Sequence, residues 1–348
     1  MNRYIKIGDC MNDSVSFDMA RSGNRHIAIC GKSGAGKSVA GQKIITNVIK
    51  GGGTVVAFDM HWLFDDNNIF PPLKPEINSI MHEIDADLSG IQFPLFTPME
   101  YADGTREESL NVVATVTDLL SGSLKLKCRQ RDELYRAMNY VSEEHTYAMR
   151  GISALDDALY MLESEVAANI QGKIRTILNK NVFRDGPCFI DEGKLNMIRL
   201  SKFSELDQAL IANIVLSYIW RLANTGAFLE KGLYLFCDEC QNLDLGQNGI
   251  INTILAEGRK LGIHLILITQ SLGGSCRSRV AQCLLQTGHQ LYFMPAEGEA
   301  VTIAKLISAA MYRDWQLVLK TLKIGECVAV GSMSVNEVAY NRPLKVNI

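Results

Sequence analysis

The sequence predicts an α/β protein with a mostly parallel central sheet and an inserted helical lobe. Three observations carry that reading. Apolar runs of strand length alternate with helix-compatible stretches. Glycine clusters mark the joins between them. Residues 26–59 read as strand, glycine-rich turn, helix, glycine stop and strand, a βαβ unit whose two strands run parallel.

In chain order, residues 1–22 form a lead-in and residues 23–348 one domain. His26-Ile-Ala-Ile-Cys30 is the first strand of the βαβ unit, the turn runs from Gly31 to Gly36, and Ser38–Lys50 is its helix. Gly51-Gly-Gly53 stops the helix, and Thr54–Phe58 is a buried strand ending at Asp59. Prolines 71, 72, 75, 94 and 98 then mark irregular chain. From about Glu107 to Lys180 the pattern is helical and amphipathic, within an insertion spanning about 75–185. Further strands are expected at Cys188–Ile190, Met197–Leu200, Leu233–Cys237, His264–Thr269, Gln290–Met294 and Cys327–Val330. Helices are expected over Glu205–Asn224 and Gly249–Leu261.

The 348 residues are 47% hydrophobic and 21% charged, which excludes a disordered or collagen-like chain. A net charge of −3 excludes a uniformly basic nucleic-acid binder. Any such contact must come from a local patch or from several copies together. No apolar run approaches the ~18–20 residues of a membrane helix, so no membrane insertion is expected. The start, MNRYIKIGDCMNDS, lacks the basic-then-apolar order of a secretory signal. Nine cysteines, an odd number without framework spacing, are expected to be reduced thiols in cytoplasm.

Gly31-Lys32-Ser33-Gly34-Ala35-Gly36-Lys37-Ser38 fits G-x-x-x-x-G-K-[ST]. The glycines let backbone N–H groups turn inward around phosphate oxygens, Lys37 brings a cation to the β- and γ-phosphates, and the Ser38 hydroxyl is a ligand for Mg²⁺. With Val39, at the start of the following helix, these residues are the expected ATP site. The helix adds its positive N-terminal end.

Such a loop needs a strand-end aspartate for Mg²⁺ and a glutamate to activate water. Two Asp-Glu pairs follow apolar residues. Asp191-Glu192 lies between Pro187 and Gly193 and reads as a solvated turn. Asp238-Glu239 ends the continuous apolar run Leu233–Cys237, so Asp238 is expected at the metal and Glu239 at the water. Cys237 and Cys240, a C-x-x-C across these acids, read as packing residues. Downstream, the strand His264–Thr269 delivers Gln270 to its carboxyl end, where ligands of open α/β sheets bind. There an amide can bond the γ-phosphate and the attacking water. The six histidines show no metal-ligand spacing. His61, just past Asp59 and a strand expected beside that of the phosphate loop, is placed either near the nucleotide or in an ordinary polar contact.

Together, Gly31–Ser38, Asp238-Glu239 and Arg259-Lys260-x-Gly262…Thr269-Gln270-Ser271 resemble the HerA/FtsK superfamily of ring-forming ATPases. That superfamily includes HerA-type DNA translocases and the motors of conjugation and type IV secretion. Val15-Ser-Phe-Asp18 with Arg25-His26-Ile resembles its lead-in, Leu195–Leu200 its mid-domain strand, and Thr321–Glu326 its closing Leu-x-x-Gly-Glu turn. Asp59-Met60-His61 resembles its Asp-Pro-His, with methionine in place of proline. The resemblance implies a RecA-like (ASCE) P-loop NTPase fold, ATP and Mg²⁺ as cofactors, and assembly as a hexamer. It implies a motor that draws duplex DNA through its ring, working with a nuclease or other effector. It also implies an arginine supplied by the neighbouring subunit; Arg259 matches that position, with Arg277 and Arg279 as alternatives. The densest basic run, Lys125, Lys127, Arg129 and Arg131, would line such a ring, and otherwise reads as a solvated helix face. A soluble conjugation or secretion motor and an ATP-gated scaffold for a partner enzyme are the other readings.

Overall fold

In the computed structural model, which describes residues 3–101 and 103–348, the chain opens with strands β1 (Tyr4–Cys10) and β2 (Asp13–Asp18). Met11 and Asn12 between them have φ of 50° and 77°, the paired left-handed turn whose twist suits a two-residue hairpin. The lead-in therefore contributes two strands to the sheet. The βαβ unit follows as β3 (Ile27–Cys30), α1 (Lys37–Lys50) and β4 (Thr54–Asp59).

After Pro71 and Pro72 come α2 (Lys74–Ile80), β5 (Met81–Asp85) and β6 (Ile91–Gln92). The lobe consists of α3 (Ser109–Leu124), α4 (Cys128–Glu143), α5 (Thr146–Arg150), α6 (Ser153–Met161) and α7 (Glu165–Asn179), and β7 (Phe183–Arg184) returns to pair with β6. The remaining chain supplies β8 (Leu195–Arg199), α8 (Glu205–Ala223), β9 (Leu233–Cys237), α9 (Ile250–Glu257), β10 (Ile263–Thr269), α10 (Arg279–Leu285) and β11 (His289–Phe293). It closes with α11 (Ala300–Ile307), α12 (Tyr312–Thr321), β12 (Glu326–Gly331), β13 (Met333–Val335), β14 (Val338–Tyr340) and β15 (Leu344–Asn347).

Thirteen strands form one sheet in the order β14-β13-β2-β1-β15-β12-β11-β3-β10-β9-β4-β8-β5. From β11 to β5 every neighbouring pair is parallel; from β11 outward to β14 every pair is antiparallel. Parallel strands are covered on both faces and so read as unbroken apolar runs. Val55, Ala57, Tyr234, Phe236, Ile266 and Ile268 face α1, whereas Val56, Phe58, Leu235, Leu265 and Leu267 join the core shared with α8, α9 and the lobe. The lobe is tied to α8 by Arg221, which pairs with Glu107 at 2.5 Å and donates to the Leu95 carbonyl, all in a dry setting.

Two expectations change. Cys188–Ile190 is irregular: Pro187 lacks an N–H, and only Phe189 N reaches a partner strand, at the Gln92 carbonyl (3.0 Å). β5 lies inside the stretch expected as insertion, yet it pairs in register with β8 as the sheet's edge. Its sequence, Met-His-Glu-Ile-Asp, buries only Ile84, which hides it from a search for apolar runs. Among the described residues no helix is long and apolar enough to cross a membrane.

Candidate nucleotide site

The phosphate loop is sutured to both neighbours of β3. Gly31 N donates to the Thr269 carbonyl of β10 (3.3 Å), and Lys32 N to the Met294 carbonyl just past β11 (2.8 Å). Gly36 has φ 109°, and a Cβ there would stand 3.2 Å from the backbone of Gly325. That close approach is real bonding, because Gly325 N donates to the Ala35 carbonyl at 3.0 Å. The turn at Thr321–Glu326 thus braces the loop from outside. α1 starts with no side-chain cap and no acid in its first turn, so its leading N–H groups face the loop unneutralised.

Lys37 is buried, and its ammonium folds back to donate to the Lys32 carbonyl at 3.0 Å. Burial lowers its pKa, while the charges of Glu239 and Asp238 pull the other way. β9 ends at Cys237, so Asp238 emerges at the same edge, and its Oδ1 accepts from Glu239 N at 3.0 Å. Burial, then the neighbouring Glu239 charge, pushes Asp238 up to about 6. Glu239 sits at φ 49°, a left-handed conformation uncommon for a non-glycine residue. Its carboxylate accepts one bond from the Gln241 amide and another from the Gln270 amide. The Thr269 hydroxyl lies 2.8 Å from Gln241 Oε1 and 2.9 Å from the Ser271 carbonyl.

These groups suit a Mg²⁺-nucleotide. An uncapped helix end and a buried ammonium attract phosphate. A half-buried aspartate whose charge is costly as it stands and the exposed Ser38 hydroxyl at the start of α1 are hard oxygen donors for Mg²⁺.

Not every expected residue joins them. Arg259 precedes β10 and Gln270 follows it, so the seven-residue strand, about 20 Å long, lies between them. Arg259 is exposed at the far end of the sheet, its guanidinium beside Gly23. Arg277, on the loop beyond Gln270, and Arg279, at the start of α10, are exposed at the phosphate-loop end. Asp191-Glu192 forms the turn before β8, also at the far end, with Glu192 paired to Lys231 on the surface. β4 is separated from β3 by β10 and β9, so His61 does not flank the phosphate-loop strand. It lies instead across from Asp238, close enough that its charge lowers that aspartate's pKa.

Within the basic run, Lys125 pairs with Asp244 (3.5 Å) and Arg131 with Asp118 (2.6 Å). Lys127 and Arg129 are exposed and, among the described residues, have no ion-pair partner. Cys237 and Cys240 are buried, and burial pushes both thiols up, as befits inert packing. Two residues were not legible. Gln241 bonds both Glu239 and Thr269, and its only signal is its place two residues after the acid. Glu299, past the end of β11, carries the loop after Gln270 and was marked only by following a strand's carboxyl end.

A phosphate loop, one strand between it and the strand bearing Asp-Glu, and a strand-end glutamine on that middle strand define a RecA-like P-loop ATPase fold. The family model of the helicase HerA central domain matches residues 5–219, and the chain belongs to that family of HerA/FtsK-type P-loop ATPases. The "Probable helicase MJ1565" of Methanocaldococcus jannaschii is 23% identical over 363 aligned positions, covering 95% of this chain. The chain spans 65% of that relative's length. Among solved structures, VirB4 of Thermoanaerobacter pseudethanolicus superposes with a TM-score of 0.71 at 17% identity, over 100% of this chain and 97% of that one. The plasmid coupling protein TrwB in complex with ADP and Mg²⁺ superposes at 0.61 and 15% identity, over 93% and 84%. These two are likenesses of fold.

Proposed function

We propose that this protein is an ATP-hydrolysing ring motor that moves along duplex DNA, working with a nuclease or other effector. The observation that carries the reading is the convergence of Lys37, Asp238, Glu239 and Gln270 at one sheet edge while Arg259 stands at the opposite edge. The loop N–H groups and Lys37 bind the phosphates; Ser38 and Asp238 would hold Mg²⁺. When bound, the ion neutralises phosphate charge as it builds during transfer. Glu239 orients the water and takes its proton, and Gln270 turns its amide between Glu239 and the γ-phosphate.

In this reading Arg259 completes the site of the adjacent subunit in a hexamer. Lys127 and Arg129 meet DNA phosphates, with six copies concentrating charge that the net −3 conceals. The cytoplasm is the expected compartment. The test is ATP hydrolysis with and without duplex DNA across a salt series. Stimulation that fades as salt rises supports the motor; turnover indifferent to DNA points to an ATP-gated scaffold ring. A second reading, a motor for conjugation or secretion, draws support from the near full-length fold match to VirB4. Stimulation by a protein substrate in place of DNA would favour it.

A further inference from the structure

The loop that follows Gln270 is held by a buried carboxylate with no part in the chemistry above. Glu299 is 5% exposed and stands at the start of α11. Its Oε1 accepts from Ser271 Oγ (2.6 Å), Leu272 N (3.0 Å) and Gly274 N (3.1 Å), and its Oε2 lies 3.2 Å from Leu272 N. Gly273 and Gly274, both left-handed at φ 74° and 73°, curl the backbone so that its N–H groups converge on one carboxylate. Burying a carboxylate is costly unless charge-assisted bonds compensate, and here all the donors come from this one loop.

The anchor is rigid. Glu299 follows β11 closely, and the Met294 carbonyl just past that strand takes the Lys32 N–H of the phosphate loop. On the other side of Gln270, Thr269 is fixed in β10 and bonded toward Gln241 and the Ser271 carbonyl. Gln270 is exposed between these two fixed points, and its amide reaches Glu239.

We infer that Glu299 is a positioning residue for hydrolysis: its carboxylate clamps Ser271–Gly274 and thereby sets where Gln270 stands against Glu239. The inference rests on the ATPase reading above. It concerns placement of the water and γ-phosphate, so it acts on turnover more than on nucleotide grip. The carboxylate itself bonds no residue of the phosphate loop.

The test compares the full-length wild type with Glu299→Ala, Glu299→Gln and Ser271→Ala by ATP turnover and by tryptic cleavage after exposed Arg277. Glu299→Ala should lower kcat about 10- to 100-fold with KM for ATP little changed, the scale of a misplaced catalytic group. Cleavage after Arg277 should quicken in the same variant. Glu299→Gln retains an oxygen that can accept from Ser271, Leu272 and Gly274, so it should restore both readouts. If Glu299→Ala proves unfolded, Ser271→Ala, which removes one bond of the clamp, should show a smaller change of the same pattern. Wild-type kcat in Glu299→Ala, or a loss that Glu299→Gln does not rescue, overturns the inference. Wild-type protein that hydrolyses no ATP overturns the ATPase reading instead, and the cleavage rates still decide whether the clamp exists.

Discussion

Gln270, one residue past β10, donates its side-chain amide to the carboxylate of Glu239, two residues past β9. The two strands lie side by side in parallel register, Leu267 opposite Cys237, so both side chains leave the same sheet edge. β3 flanks β10 on its other side, which sets the phosphate loop at that edge as well. One amide therefore joins Glu239 to the end of the strand that lies next to that of the phosphate loop. The predictions below take that arrangement apart.

Lys37→Ala tests the grip on nucleotide. The Lys37 ammonium is buried against the loop, and a charge-assisted bond of this kind is worth roughly 1.5–3 kcal/mol. ATP affinity, measured by titration of a fluorescent analogue, should fall by at least about tenfold. Undiminished affinity would remove the phosphate-loop assignment.

Glu239→Gln separates the two acid pairs. It should leave ATP binding intact and slow hydrolysis by about 10²-fold or more, because the water loses its base. Glu192→Gln should do little, since Glu192 is a surface residue paired with Lys231 at the opposite end of the sheet. Steady-state turnover of the two variants decides; an equal loss in both would mean that neither acid is singled out by the chemistry.

How much of this could be read from the sequence depended on burial. β3, β4, β9 and β10 are buried on both faces, so Ile27–Cys30, Thr54–Asp59, Leu233–Cys237 and Ile263–Thr269 each show an unbroken run. Glycines at the phosphate loop stand out for a different reason, the positive φ of 74° at Gly34 and 109° at Gly36. β5 escaped because an edge strand buries little. The order of strands was also hidden: His61 follows β4, and nothing local says that two strands separate β4 from β3. Glu299 and Gln241 were invisible because their bonds, to Leu272 and Thr269, join residues 27 and 28 positions apart. The pairing of Lys125 with Asp244 likewise depends on how the lobe sits on the loop after Glu239.

Acid should weaken the fold through three buried imidazoles. Burial holds His26 and His289 down at about 4 and His264 at about 3, against an ordinary value of 6.5. The folded protein keeps them neutral while the unfolded chain protonates near 6.5. Their stabilising effect is thus complete above about 6.5 and is lost as pH falls from there toward 4. Each contributes a slope of up to about 1.4 kcal/mol per pH unit in that window. Among the described residues, neither ring nitrogen of His289 has a hydrogen-bond partner. His289→Leu should therefore flatten the fall by up to about 1.4 kcal/mol per pH unit while changing stability at pH 8 by only about 1 kcal/mol. Melting temperature against pH checks it; equal slopes in variant and wild type would exclude His289 as a contributor.

The position of Arg259 makes the strongest demand. In its own chain the guanidinium stands a strand's length, about 20 Å, from Gln270, too far to reach the nucleotide it would help to cleave. If it acts at all, it acts on a neighbour, and activity must depend on assembly. Purified protein should then run as a hexamer, at least with nucleotide present. Mixed rings provide the test. Arg259→Ala keeps an intact phosphate loop, and Lys37→Ala keeps an intact arginine, so each should be nearly inactive alone. Where an Arg259→Ala subunit meets a Lys37→Ala neighbour on the correct side, one complete site is restored and hydrolysis should partly return. An arginine supplied in this way is worth about 10³-fold or more in rate, so even a small fraction of repaired sites is measurable. Turnover should peak at intermediate mixing ratios and vanish at both ends. A flat, inactive series with co-assembly confirmed would rule out Arg259 and pass the role to Arg277 and Arg279, which stand exposed beyond Gln270 at the phosphate-loop end.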